Sequence, residues 1–354
     1  MSVKYFKLGC LFLLCSIWGS SLLLVAAVSH SPGKATQSKR EIMEFAGDHL
    51  FENSLKNIFN SKKNSIVRVV CVAKAEEGTR TDANDAKQLL GGTGFFISNK
   101  AHILTAASIV KNSQMIWVDY RGASYSAECI GIDLQTNVAV LRLLQPPNEF
   151  DIVDVDENNA MALTEIGSFI VFVGCKLGMD PLPELGNVTG KNISYGDNTF
   201  VTTYLRTNLM FCGGESGAPV FELDGKLSGM MIASLPEMAS SFILPRRALS
   251  KVVDVIISNG IMRHPKLGIE VQSECRFNRG QEIVISKVLA GSEAEKAGLV
   301  AGDIIKKVGN FDVSYREDLY NAVFFECQDG QIAITILREG KELSFQVKNE
   351  YMVE

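Results

Sequence analysis

The chain has 354 residues, 46% hydrophobic and 21% charged, with a formal net charge of −5. That length suits two globular domains behind an apolar leader, and the ordinary composition excludes wholesale disorder. The acidic balance and the scattered Lys and Arg leave no basic face, which excludes nucleic acid as a partner.

Lys4 and Lys7 precede a charge-free apolar run from Leu8 to Val28. Its length and flanks read as a secretory signal or an uncleaved membrane anchor over residues 1–30, with Ala26, Ala27 and Ser29 permitting cleavage. Either reading sends the following chain across a membrane, to a secreted, periplasmic or membrane-anchored place. Residues 31–60 read as a linker with a short amphipathic helix around Glu41 to Phe59.

From Ile66 the texture changes to short β-branched runs separated by Gly, Asn and Asp. Strands are expected at Ile66–Val70, Thr93–Ser98, Met115–Tyr120, Val138–Leu143, Ser168–Val173, Thr199–Leu205 and Leu227–Ile232. The polar stretch Ala75–Lys87 reads as a surface loop. So many short strands with turn signals predict an all-β barrel or sandwich over residues 61–260. A helix from about Arg246 to Ser258, capped by Gly260, closes this domain.

Residues 261–354 form a second, α+β unit. Strands around Leu267–Val271 and Glu282–Val288 precede a short helix at Ser292–Ala297 and a Gly-Asp turn. A helix at Arg316–Phe325 and two closing strands complete it. Outside the apolar run, Cys71, Cys129, Cys175, Cys212, Cys275 and Cys327 show neither CxxC pairing nor zinc-like spacing with histidine. No metal or other cofactor is called for, and buried free thiols are expected. The sequons at Asn187 and Asn192 matter only in a eukaryotic secretory pathway.

Gly214-Glu215-Ser216-Gly217-Ala218-Pro219 carries the chemistry. A serine between glycines in a tight turn presents its hydroxyl while neighbouring N–H groups, here of Gly214 and Ser216, point at one spot and hold an oxyanion. Alone, the same string also fits a Gly-rich hairpin. If Ala218 needs φ > 0, its methyl group strains the turn.

Other blocks fall in register with it. Gly92-Thr93-Gly94-Phe95-Phe96-Ile97 and Ile103-Leu104-Thr105-Ala106-Ala107-Ser108-Ile109-Val110 resemble the histidine-bearing segment of trypsin-type proteases. Asp133 to Leu141 resembles the aspartate-bearing segment, and Gly225 to Met230 the strand that walls the specificity pocket. Lys266-Leu267-Gly268-Ile269-Glu270-Val271 resembles the carboxylate-binding loop of a PDZ domain, followed by its helix-and-turn block, Gly291 to Leu299 and Ala301 to Ile305. Together these blocks are similar to the HtrA/Deg family over about residues 61–350. The resemblance implies a double six-stranded β-barrel of trypsin type followed by a C-terminal PDZ domain. Family trimers are implied as well, with Phe45, Phe51 and Phe59 as contacts.

Two positions depart from the family pattern. Ser108 stands where the family has histidine, and Asn137 where it has aspartate; only Ser216 keeps its place. A serine hydroxyl is a weak nucleophile without a neighbouring base. Losing the histidine costs on the order of 10⁶ in turnover in a comparable triad, and aspartate to asparagine about 10⁴. The four histidines are His30, His49, His102 and His264. His102 lies in the strand before Ser108, up to about 20 Å away along an extended chain; Lys111 and Lys226 are the sequence-adjacent lysines for a Ser–Lys dyad.

In the second domain the resemblance puts a peptide against Leu267, Gly268 and Ile269, with Leu319, Tyr320 and Val323 on the flanking helix. These helix positions equally fit core packing. The expected function is that of an impaired protease homologue which binds unfolded proteins or peptide C-termini in quality control. A working endopeptidase with an unconventional base and a regulatory subunit of an active paralogue are the competing readings.

Overall fold

The computed structural model describes residues 51–73, 89–156, 162–195, 198–276, 280–326 and 330–351. The apolar run 8–28, most of the expected linker helix and the loop 75–87 lie outside the described residues. Among the described residues no helix is long and apolar enough to cross a membrane.

Residues 51–62 are helical (α1). Phe51 meets Phe169 edge-on at 5.4 Å, and Phe59 packs against the main core. Six strands then close the first barrel: β1 (Ile66–Ala73), β2 (Leu89–Phe96), β3 (His102–Ala106), β4 (Ser113–Tyr120), β5 (Ala123–Asp133) and β6 (Val138–Leu143). A one-turn helix, α2 (Ala107–Val110), follows β3. The second barrel closes from β7 (Phe169–Gly174), β8 (Leu182–Tyr195), β9 (Asn198–Thr207), β10 (Pro219–Glu222), β11 (Leu227–Leu235) and β12 (Ser240–Pro245).

Strand periodicity of two explains the apolar runs. On β6, Ala139, Leu141 and Leu143 fill the first barrel, while Val138 and Val140 face the core between barrels. Both faces are buried over Val138–Leu141, so the sequence there shows no polar alternation until the exposed Arg142. The second barrel is filled by residues such as Ile170, Phe172, Leu205, Val220, Met231 and Ile243. Helix α3 (Arg246–Asn259) lays Leu249, Val252 and Ile256 on the inter-barrel core, and Gly260 ends it at φ 77° with its N–H on the Ile256 carbonyl at 2.8 Å.

The second unit begins at β13 (Pro265–Lys266), which pairs with β20 (Glu350–Tyr351). Its main sheet contains β14 (Ile269–Arg276), β15 (Gly280–Val288), β16 (Ile304–Val308), β18 (Gln331–Arg338) and β19 (Lys341–Lys348) in that order, with β17 (Phe311–Asp312) paired to β16. Helices α4 (Glu293–Ala297) and α5 (Arg316–Glu326) complete it, α4 capped by Ser292, whose hydroxyl accepts the Glu295 N–H. The fold is mostly β, a trypsin-like pair of six-stranded barrels followed by an α+β domain.

Helix α5 packs on the second barrel. Asn321 bonds Thr202 and Thr203 of β9 through both ends of its amide, at 2.7, 3.0 and 2.9 Å. Phe324, 2% exposed, belongs to the inter-barrel core, and Lys251 of α3 donates to the carbonyls of Phe324 and Phe325.

Five cysteines among the described residues are free thiols. Cys71 and Cys175 are buried as expected, but Cys129, Cys212 and Cys275 are exposed. Cys129 and Cys275 lie on strands with a face open to solvent and Cys212 in the loop before Ser216, placements that composition does not reveal.

Candidate functional site

The serine turn is built by backbone. Gly217 has φ 87°, and a Cβ there would stand 2.4 Å from the Thr93 carbonyl and 2.6 Å from the Ala106 nitrogen. Only glycine tolerates that conformation and that approach together. The neighbouring strands hold the turn through the bonds Thr93 N–H to Ser216 O and Gly217 N–H to Met231 O, both 2.9 Å. Ala218 is not at positive φ and is fully buried, so the strain expected from its methyl group does not arise.

Sequence reading missed Thr93 as a structural member of this site. Its hydroxyl donates to the Gly214 carbonyl at 2.7 Å and accepts the Cys175 N–H at 2.8 Å. It lies inside the Gly-Thr-Gly-Phe-Phe block, so the signal was present without its partner. Gly214 has φ 93°, and its N–H and that of Ser216 have no protein acceptor among the described residues.

Glu215, 1% exposed, folds beneath the turn, where Oε2 accepts the Cys212 N–H at 2.5 Å. Lys176 stands 4.0 Å from Oε1 and is bonded to Glu184 at 2.6 Å. Burial pushes the Glu215 carboxyl above its ordinary 4.5, with the Cys212 N–H acting the other way. A raised folded-state value favours folding at low pH, and that contribution is lost as pH climbs above 4.5. Replacing Glu215 by Gln should therefore flatten the loss of thermal stability above pH 4.5; an unchanged slope would show that the carboxyl is not desolvated.

Ser108 and Asn137 are brought to the same place. Asn137 has φ 57°, a left-handed conformation that asparagine tolerates better than most residues. Its carbonyl accepts the Ala107 N–H at 3.1 Å and its Oδ1 accepts the Ser108 N–H at 2.8 Å. It thereby caps the first turn of α2, which has no side-chain cap of its own. Its Nδ2 donates to the Ile232 carbonyl at 2.7 Å. The side chain is thus used as an amide at both ends, and no carboxylate could make the second bond.

Among the described residues no base is bonded to Ser216, and its hydroxyl has no hydrogen-bond partner there. The Ser108 side chain is exposed. His102 is 8% exposed and sits 3.0 Å from the Ser98 hydroxyl at the far end of β3, where burial, then Arg142 and Lys100, hold its pKa down. His264 is bound to Asp133. Lys226 pairs with Asp224, and Lys111 is exposed at the end of α2.

In the second unit, Leu267 and Leu319 are buried in one core, against which Ile269 and Val323 pack. Gly268 accepts the Leu289 N–H at 2.9 Å, while the Leu267 and Gly268 N–H groups have no acceptor among the described residues. Tyr320 lies outside that core, with the Arg316 guanidinium 5.9 Å above its ring. Strand β14 ends the sheet and leaves one edge open.

Residues 92–230 match a model of the trypsin-like peptidase domain, and residues 265–348 a model of the PDZ domain. A probable periplasmic serine endoprotease DegP-like of Marinomonas sp. (strain MWYL1) is 27% identical over 271 residues, covering 73% of this chain and 56% of that protein. A probable periplasmic serine protease do/HhoA-like of Haemophilus influenzae is 27% identical over 271 residues, covering 73% and 57%. The chain thus spans a little over half the length of these relatives. The solved HtrA-type protease AlgW with tripeptide superposes with a TM-score of 0.68 at 19% identity, over 85% of this chain and 98% of that one. The serine endoprotease from Yersinia pestis gives 0.60 at 21% identity, over 84% and 98%. In matching a trypsin-like peptidase domain and then a PDZ domain, in that order, the chain is similar over that span to these DegP-like and HtrA-type proteases.

Proposed function

We propose that the chain is a proteolytically impaired HtrA-type protein that binds unfolded proteins or peptide C-termini in extracytoplasmic quality control. The observation that carries this reading is Asn137, whose amide is bonded at both ends while Ser108 supplies no base. Without a base, Ser216 keeps a hydroxyl of ordinary, low nucleophilicity. The unused N–H groups of Gly214 and Ser216 can still receive a peptide carbonyl or carboxylate. Leu267, Gly268 and Ile269, with the open edge of β14, offer a peptide terminus N–H donors and a strand to pair with. The periplasmic names of the relatives support an extracytoplasmic place.

The test compares the purified chain with its Ser216→Ala variant for cleavage of an unfolded protein and for labelling by a fluorophosphonate. The proposal expects no cleavage by either form and retained peptide binding by both. Cleavage and labelling that vanish together in the variant would overturn it.

A further inference from the structure

Asp133, the last residue of β5, is 3% exposed, and His264, between α3 and β13, is 7% exposed. Their contact joins residues 131 positions apart, with His264 Nε2 at 2.9 and 2.8 Å from the two carboxylate oxygens. The same carboxylate accepts the Thr136 hydroxyl at 2.5 Å and the Gln135 N–H at 3.1 Å. It therefore organises the turn that ends at Asn137, the residue that holds the Ser108 N–H.

The other face of the imidazole belongs to the PDZ domain. His264 stacks on Phe324 of α5, with ring centroids 5.9 Å apart and planes 25° from parallel. Tyr204 of the second barrel completes the surroundings. Its hydroxyl is buried without a partner, and burial together with the nearby Asp133 charge pushes its pKa up. Both barrels and the PDZ helix thus meet around one carboxylate.

We propose that the Asp133–His264 pair is a latch through which the PDZ domain holds the 133–137 turn, and with it the Ser108 segment, in place. The chain of contacts is short: α5 through Phe324 to His264, His264 to Asp133, and the turn to Asn137 and the Ser108 N–H. His264 is a positioning residue here; it touches none of the reacting positions. A hydrogen bond to a buried charge is among the stronger ones a side chain makes, and removing its donor leaves the carboxylate under-satisfied. The turn then loses a fixed point, whereas the barrel cores keep all of theirs. The latch operates whether or not the site cleaves peptides.

Amide hydrogen exchange of the full chain tests it, read at Ser108 and, for comparison, at the core amides of Leu205 and Ile283. His264→Leu should accelerate exchange at Ser108 on the order of tenfold, with the two core amides unchanged. His264→Gln, which keeps an N–H donor of similar reach, should restore protection. Unchanged exchange at Ser108 in His264→Leu, or equal acceleration at all three amides, would overturn the latch. Should His264→Leu fail to fold, Asp133→Asn decides: a smaller acceleration confined to Ser108 supports the latch, and none rejects it.

Discussion

Replacing Ser108 by His together with Asn137 by Asp is expected to raise cleavage of an unfolded substrate by about 10³-fold or more over the parent chain. The Ser216 turn is fixed by Thr93 and Met231, and the Asn137 and Ser108 positions are one hydrogen bond apart. Ser108→His alone should recover only a small part of that gain, since Asn137 offers no carboxylate to hold an imidazole in the right tautomer. The double variant should also fold less stably. An oxygen replaces the Nδ2 that now sits 2.7 Å from the Ile232 carbonyl, at a cost of about 1–3 kcal/mol. Initial rates on a quenched peptide and a urea melt check both halves. A folded double variant with no gain in rate would mean that Ser216 is held outside a productive geometry.

Phe324→Ala should cost about 3–5 kcal/mol, the range for emptying a buried aromatic site. Phe324 is contributed by the PDZ helix but lies in the inter-barrel core, so the loss should appear in the unfolding of the peptidase domain. The bonds of Asn321 to Thr202 and Thr203 remain, and they limit how far α5 can move. Equilibrium urea denaturation followed by tryptophan fluorescence reports it, because Trp117 lies on β4 in the first barrel. A loss below about 1 kcal/mol would show that α5 contributes little to that core.

Much of this fold was legible because apolar runs and turn glycines are local. The run Val138–Leu143 was read with the same limits as β6, and the helix around Arg246–Ser258 ends at the glycine that caps it. Strands β5 and β8 escaped notice. Ala-Ser-Tyr-Ser-Ala-Glu-Cys is polar and half exposed, and β8 carries Pro183, Gly186 and Gly190, all weak strand formers. The Ser216 turn and positions 108 and 137 were singled out from motif order. Their bonding was not legible, because the bond from Asn137 to Ile232 spans 95 positions; that from Asn321 to Thr202, equally hidden, spans 119. Side-chain amides leave no periodic trace in a sequence, so such contacts emerge only once the chain is folded.

The two glycines of the serine turn bear on how such a chain can change over evolutionary time. Position 108 is exposed and tolerates serine, whereas a side chain at Gly217 would collide with Thr93 and Ala106. Folding alone therefore polices the loop around Ser216 and is indifferent to the side chain at position 108. A lineage released from proteolysis would shed its histidine freely yet go on displaying an enzyme's most recognisable signature, for reasons of packing alone.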